Sequence, residues 1–321
     1  MNNIYLIFIA SFIVIIILAL VAYTLAKTRN QSPWLWFWLT LIFPIAVVFI
    51  AFKDKEIIKE KISISYFSIS TALWTLAVKE VRRFMRIWIQ TLVPPAVTMS
   101  LYFVIFGSLI GPRIGSMDGF DYIQFMIPGL IMMSVITNSY NNVVSSFYSV
   151  KFQKSIEELL ISPMPNWVIL LGFVIGGVCR GVLIGFIVFV VSLLFYPEFT
   201  IVNPLLTLLV LFLTAILFSL MGFINAVFAD SFDDISIIPT FVLTPLIYLG
   251  GVFYSINILP DTYRAISMAN PMLYVVNTFR EGMLGVSDVS ISFSLGMIFG
   301  FIGLLTGASL YLLKKGTGIR Q

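Results

Sequence analysis

The chain has 321 residues, of which 60% are hydrophobic and only 11% charged, and its mean hydropathy is +1.03. A soluble domain carries about 25% charged residues, so this chain lacks the polar surface that water requires, which excludes a soluble globular enzyme and an intrinsically disordered protein. With no histidine and one cysteine, Cys179, a Ser-His-Asp triad, a His-ligated zinc, an intramolecular disulfide and a multi-cysteine metal site are excluded too.

A helix needs roughly 20 apolar residues to cross the hydrocarbon core. Eight stretches qualify, at 4–26, 34–52, 88–110, 122–148, 168–195, 203–228, 235–253 and 293–313. The first has no positive segment before it and no clear cleavage site after it, and reads as a retained anchor rather than a signal peptide. Trp34, Trp36 and Trp38 crowd the start of the second, as an interfacial aromatic belt does. Residues 1–62 thus form a two-span hairpin, set off by charges between Lys53 and Lys61 from a six-span unit over 63–321.

Residues 69–88 are amphipathic: Leu73, Leu76, Ala77, Phe84, Ile87 and Trp88 alternate with Lys79, Glu80, Arg82, Arg83 and Arg86. The pattern predicts a helix in the cytoplasmic interface, apolar face in the acyl boundary and arginines towards anionic lipid. A juxtamembrane flank that only sets topology is the alternative.

Between the fourth and fifth spans runs KFQKSIEELLISPMP, from Lys151 to Pro165. Lys151 and Lys154 precede Glu157 and Glu158; Leu159, Leu160 and Ile161 follow, and Pro163 and Pro165 forbid continuation. This is a short two-faced helix, expected over Gln153 to Ile161 and including Ser155. It suits docking into a groove on a soluble partner; an ordinary capped loop helix is the other reading.

The fifth span carries Gly172 and Gly176, then Gly177, Gly181 and Gly185; the eighth carries Gly296, Gly300, Gly303 and Gly307. Small residues at such spacing mark close helix contacts in lipid, within one subunit or between two. Arg180 is the one basic residue deep in a span. It either lines a translocation path or meets an anionic head group, or is a structural pair or a snorkelling side chain. Asn138, Asn141 and Asn142 on the fourth span are similar candidates. Asp230, Asp233 and Asp234 lie where the sixth and seventh spans meet, and Arg82 or Arg83 would be their partners. The link over 257–290 is too polar to span, and fits two short helices dipping into the outer leaflet beside protein.

Orientation follows from Lys and Arg. With eight spans and both ends inside, thirteen of the nineteen basic residues are cytoplasmic and five are outside, in line with the positive-inside bias. Lys27 and Arg29 fall outside in this scheme, so a re-entrant or shifted first hairpin is an alternative. The net charge of +4 is spent on topology and gives no sign of nucleic acid. No G-x-x-x-x-G-K-[ST] phosphate loop is present, so any nucleotide-driven work needs another polypeptide.

Four segments resemble the ABC-2 type transport permeases, the membrane subunits of ATP-binding cassette exporters, and the bacterial inner-membrane members above all. EELLISPMP (Glu157 to Pro165) is similar to the family's coupling-helix motif. VRRFMRIWIQTLVPPAVTMSLYFVIFG (Val81 to Gly107) resembles the entry helix and first core span. SFDDISIIPTFVLTPLIYLGGVFYSINILP (Ser231 to Pro260) resembles the fifth core helix and outer re-entrant region, and NPMLYVVNTFREGMLG (Asn270 to Gly285) the segment before the last helix. The resemblance covers about residues 75–318. It implies an all-α integral membrane protein with a six-helix, type V exporter-like core, the hairpin over 1–62 being an addition. It implies two permease and two ATP-binding subunits, with no cofactor on this chain and Mg-ATP on the partner. The implied role is outward movement of a lipid, hydrophobic drug or lipid-linked glycan, driven through the helix at Gln153 to Ile161, from a bacterial inner membrane with a cytoplasmic C-terminus. The hairpin, through SPWLWFWLTLIFPIAVVFIAFK, resembles the one ahead of some phospholipase D-type domains, whose chemistry needs histidine.

Two other classes stay in view. An ion-coupled secondary transporter places acidic or histidine residues within its spans, whereas the acidic residues here sit at span ends. A membrane-bound lipid-modifying enzyme needs a cluster of acids, bases or metal ligands, for which Asp230, Asp233 and Asp234 are the one candidate group. A pure scaffold is a third.

Overall fold

The computed structural model describes Tyr23, residues 66–162 and residues 164–318. The expected spans at 4–26 and 34–52, the hairpin they form, and Pro163 lie outside the described residues.

Helix α1, Tyr66–Arg86, is the amphipathic segment. Leu76, Ala77, Glu80 and Phe84 repeat at helical spacing and are buried, while Trp74 is 72% exposed. The chain then bends at Ile87, whose φ of −114° and ψ of 37° are not helical. The Thr91 hydroxyl braces the elbow by donating to the Phe84 carbonyl at 3.1 Å. Helix α2, Trp88–Ile114, contains Pro94 and Pro95 and widens to a π-helix over Phe103–Ile110. It buries a narrow stripe that includes Met99, Phe103 and Gly107 and exposes the rest.

A two-stranded hairpin follows, β1 Ser116–Met117 with β2 Phe120–Asp121. Asp118 and Gly119 form its turn, both with positive φ, the dipeptide that a tight hairpin turn favours. Helix α3, Tyr122–Phe152, has 31 residues and is the axis of the bundle. At 1.5 Å per residue it reaches about 46 Å, well past the roughly 30 Å hydrocarbon core. Its polar side chains fold back on their own helix: Ser134, Thr137 and Asn138 donate to Leu130, Met133 and Ser134 carbonyls at 2.8 to 3.0 Å. That keeps hydroxyls and amides satisfied away from water.

Helix α4, Ser155–Ile161, crosses the end of α3. Helices α5, Asn166–Phe195, and α6, Pro204–Phe228, flank α3 on two sides. Phe147 of α3 joins the three, with ring centroids 5.2 Å from Phe173 and 4.3 Å from Phe223. Helix α6 starts where its sequence says it should, with Pro204 in the first turn and the Asn203 side chain accepting from the Leu206 amide at 3.1 Å.

Helix α7, Asp234–Tyr248, is shorter than the expected span at 235–253. It is three consecutive five-residue segments, the middle one π-helical. It stops because Leu249, Gly250 and Gly251 turn the chain; Gly251 has φ +75°, which a side chain rarely tolerates. The carbonyls freed beyond the stop meet side-chain donors. Asn270 donates to Leu246 at 2.6 Å, Tyr254 to Leu249 at 2.9 Å, Arg280 to Gly251 at 2.5 Å and Tyr122 to Phe253 at 3.1 Å. Irregular backbone at membrane depth needs such partners.

The link over 257–290 forms two short helices, as expected: α8, Asp261–Met268, and α9, Pro271–Leu284. Helix α9 is capped by Asn270, which accepts from the Met272 amide at 3.0 Å, and is almost wholly buried. Helix α10, Ile291–Lys315, packs mainly on α6. Five helices among the described residues are long and apolar enough to cross a membrane: α2, α3, α5, α6 and α10.

The bundle has two distinct ends. At one, Lys151 donates to the Val227 and Ala229 carbonyls at 2.8 and 2.7 Å, and Tyr148 to Asp230 at 2.9 Å; α4 and the C-terminal end of α10 lie here. At the other, the Val202 amide donates to Met283 at 3.1 Å, beside the β-hairpin, α8 and α9.

Candidate coupling surface and buried polar relay

Helix α4 is seven residues long. Gln153 and Lys154 are not in it. Gln153 caps α3, and Lys154 takes a left-handed conformation with φ 59° that reverses the chain. The short helix expected from Gln153 therefore begins at Ser155, whose hydroxyl donates to Val150 at 3.2 Å. Ile156 is buried and anchors the helix to the bundle; Leu159 and Leu160 are half-buried. Glu157 and Glu158 face outwards, and Ile161 is 84% exposed. Such a helix offers one apolar tip flanked by two carboxylates. Pro165, with φ −63° and ψ 143°, ends the turn and leads into α5.

Beside it lies a cleft of about 560 Å³ between α1 and α4, lined by Thr71, Thr75, Leu76, Lys79, Leu159 and Met164 among others. The two amphipathic helices thus share one surface at one end of the bundle.

Beneath that surface, α1 is seated on α5 through glycines. A Cβ at Gly172 would collide with Leu76, and one at Gly176 would lie 2.7 Å from Glu80 Cβ. Further along α5, Gly177 admits Ser219 of α6 and Val143 of α3, Gly181 admits Ser139 of α3, and Gly185 admits Val135 of α3. The glycine stripe of α5 therefore packs within the chain, on α1, α3 and α6. The eighth-span stripe does not pack within the chain. Gly296, Gly300 and Gly303 meet nothing within 4 Å, because α10 turns Ser294, Ile298, Ile302 and Thr306 inwards instead.

Glu80 corrects the reading of α1 as a helix with all its charges outward. Lys79, Arg82 and Arg86 are exposed, but Glu80 is fully buried. It accepts from Ser146 Oγ at 2.5 Å and from Arg83 Nε at 3.3 Å. Arg83 continues the chain of bonds, donating through Nη2 to both the carbonyl and Oδ1 of Asn142 at 2.9 Å. One turn further into α3, Asn138 Oδ1 accepts from Arg180 Nη2 at 3.2 Å. Asn142 and Asn138, and Arg180 facing them, thus line a polar seam from α1 into the middle of the bundle. Asn141 is only half-buried and its carbonyl serves Ser145 at 2.7 Å. Glu80 Oε1, Asn142 Nδ2, Ser139 Oγ and Arg180 Nε are buried along this seam without a protein partner.

The acidic group pairs differently from expectation as well. Arg83 is taken by Glu80 and Asn142. Asp234 instead accepts from the amides of Asp230 and Ser231 at 3.0 and 2.9 Å, and those bonds hold its carboxyl below the usual value. Among the described residues no cluster of three metal-ligating side chains occurs.

The model of the family described as ABC-2 type transporter matches residues 71–284. The chain belongs to the ABC-2 type transporter family. The inner membrane transport permease YadH of Escherichia coli (strain K12) is 54% identical over 250 residues, which cover 78% of this chain and 97% of YadH. Nodulation protein J of Rhizobium meliloti (strain 1021) is 26% identical over 200 residues, 62% of this chain and 76% of that protein. Nodulation protein J of Rhizobium leguminosarum bv. viciae is 24% identical over 217 residues, 67% and 83% of the two chains. As an ABC-2 protein the chain is a membrane permease subunit of an ABC transporter, and the family implies an ATP-binding partner subunit. The matched range opens inside α1 and closes with α9, so α4 and the whole polar seam lie within the ABC-2 portion.

Proposed function

We propose that this ABC-2 permease moves a hydrophobic or amphiphilic substrate outward across a bacterial inner membrane, with α4 as the coupling helix. Two copies of the chain and two ATP-binding subunits would make the transporter, Mg-ATP being held on the partners and none on this chain. The C-terminus and α4 are then cytoplasmic, and the β-hairpin, α8 and α9 are external. The likeness to an inner membrane transport permease, which covers 97% of that protein and 78% of this chain, supports the location.

The observation that carries the reading is the joint position of α4 and α1. Ile161 projects from the end of the bundle at 84% exposure, and α1 beside it is tied by Glu80 to Ser146 of α3. A push on this surface from a closing ATP-binding subunit is transmitted to α3 and α5 as a rigid body, since both polar bonds and glycine contacts resist sliding. Pro165, which leads into α5, stiffens the exit of α4 in the same sense.

The test is co-purification and ATPase measurement. Ile161→Asp and Glu157→Lys should each reduce capture of the ATP-binding subunit or uncouple its hydrolysis, by about tenfold for a central contact. Normal capture and normal transport in both variants would overturn the assignment of α4.

A further inference from the structure

Two guanidiniums converge on α3 in the half of the bundle that carries α4. Arg83 of α1 donates through Nη2 to Asn142, and Arg180 of α5 through Nη2 to Asn138. The two asparagines stand one turn apart, which sets their arginines about 6 Å apart along the helix. Arg83 is near enough to repel Arg180. One carboxylate serves the pair: Glu80, which meets Arg83 Nε at 3.3 Å. Among the described residues no acid pairs with Arg180, whose hydrogen bond goes to a neutral amide. A cation within a span is costly unless an opposite charge or water meets it, so the pair is one negative charge short.

Both forks keep one open end. The Arg83 side chain is 32% exposed, and Arg180 is half-buried with the exposed Cys179 beside it. Among the described residues Nη1 of neither arginine is hydrogen-bonded, and neither Nη1 is sealed from the surface as Arg180 Nε is. A guanidinium matches phosphate oxygens through paired N–H groups. A tetrahedral phosphate also offers separate oxygens to two forks on opposite sides, whereas a carboxylate offers its two oxygens in one direction. With N–O separations of about 2.8 Å on each side, one phosphate bridges forks set one helical turn apart. The height along the bundle agrees. Arg83 lies five residues, about 8 Å, before Trp88, where α2 starts with a tryptophan 51% exposed. Exposed tryptophans of this kind mark the level of lipid head groups. Arg180 stands one turn past Gly176, against which Glu80 rests, and an arginine side chain snorkels over that distance.

We propose that Arg83 and Arg180 hold a phosphate group between their Nη1 ends, the phosphate being that of a lipid head group from the leaflet on the α4 side. The permease reading above supplies only the name of that leaflet, the inner one; the phosphate chemistry rests on the seam itself. The seated head group supplies the missing negative charge and ties α1, α3 and α5 together at one point.

The experiment uses the full chain with its ATP-binding subunit, purified in detergent and read by native mass spectrometry. Dioleoylphosphatidylglycerol, dioleoylglycerol, which lacks the phosphate, and inorganic phosphate are titrated in turn. Saturable retention of phosphatidylglycerol is expected, at least about tenfold tighter than that of dioleoylglycerol. Displacement by inorganic phosphate supports the phosphate site and adds a free anion as a second source; no displacement supports the lipid-borne source. Arg180→Gln should weaken retention about tenfold, and Arg180→Lys, which keeps the charge but not the fork, several-fold. Arg86→Gln, which removes an exposed charge three residues from Arg83, should leave it unchanged. Equal retention of the two lipids by the unaltered protein overturns the proposal. So does binding that is unchanged in Arg180→Gln, or weakened as much in Arg86→Gln. Melting temperature is read on each variant; if Arg180→Gln unfolds, Arg180→Lys and the lipid comparison on the unaltered chain decide. The ATP-binding subunit is counted in the same spectra, so a lost head group with an intact complex is distinct from a failed permease.

Discussion

Glu80 shows how much one residue's register decides. It stands four positions from both Leu76 and Phe84, so it shares their stripe and is buried with them. That spacing was legible in the sequence, but its charge drew the residue to the polar face. What the sequence does not give is the acceptor's partner 66 positions away, Ser146. Removing the carboxylate leaves Arg83 and Ser146 facing one another across a void. Glu80→Ala should cost about 2 kcal/mol, below the range of roughly 3–5 for a fully buried pair because Arg83 is partly exposed. Glu80→Gln keeps the shape and the Ser146 contact, and should cost about half as much. Thermal unfolding of the reconstituted protein reads both, and equal stability of Glu80→Ala and the unaltered chain would remove the seam from the account. Arg280 was placed outside by the basic-residue pattern, but its burial was not legible, because its surroundings come from α3, α7 and the loop after it.

Among the elements, long apolar runs gave α2, α3, α5, α6 and α10 within a few residues, since in lipid a backbone has no alternative to the helix. Helix α7 is shorter than its hydropathy, because the apolar run continues to Phe253 while Gly250-Gly251, a turn signal, ends the helix at Tyr248. The short segments were legible in kind but not in extent: α4 begins two residues later than expected because Lys154 is left-handed. The polar start of α7 offers a test by pH. The Asp234 carboxyl is held below its usual value by the amides of Asp230 and Ser231. A depressed carboxyl contributes order that is full above the unfolded value and is lost as pH falls through the folded one. Protection of those two amides from hydrogen exchange, taken relative to the intrinsic rate at each pH, should therefore be full near neutrality and fall away below about pH 4. Protection that is flat across that window would show that the bonds do not hold the turn.

At the scale of the whole molecule, the two ends are chemically different. Lys79, Arg82, Arg86, Lys151 and Lys154 collect at the α4 end, as do Lys314 and Lys315, whereas Asp118, Asp261 and Asp288 collect at the other. With Cys179 replaced by serine, a cysteine at Ser155 should react with an impermeant maleimide only after the cells are opened. A cysteine at Asp118 should react in intact spheroplasts. The reverse result would invert the molecule in its membrane and detach α4 from any cytoplasmic motor. The short α7 has a consequence for the lipid itself. At 1.5 Å per residue it spans roughly 22 Å, about 8 Å less than a typical hydrocarbon core. The neighbouring leaflet must dimple to match it, because hydrophobic mismatch is relieved by local thinning. A lipid head group beside α7 would then have that much less hydrocarbon between it and the opposite surface.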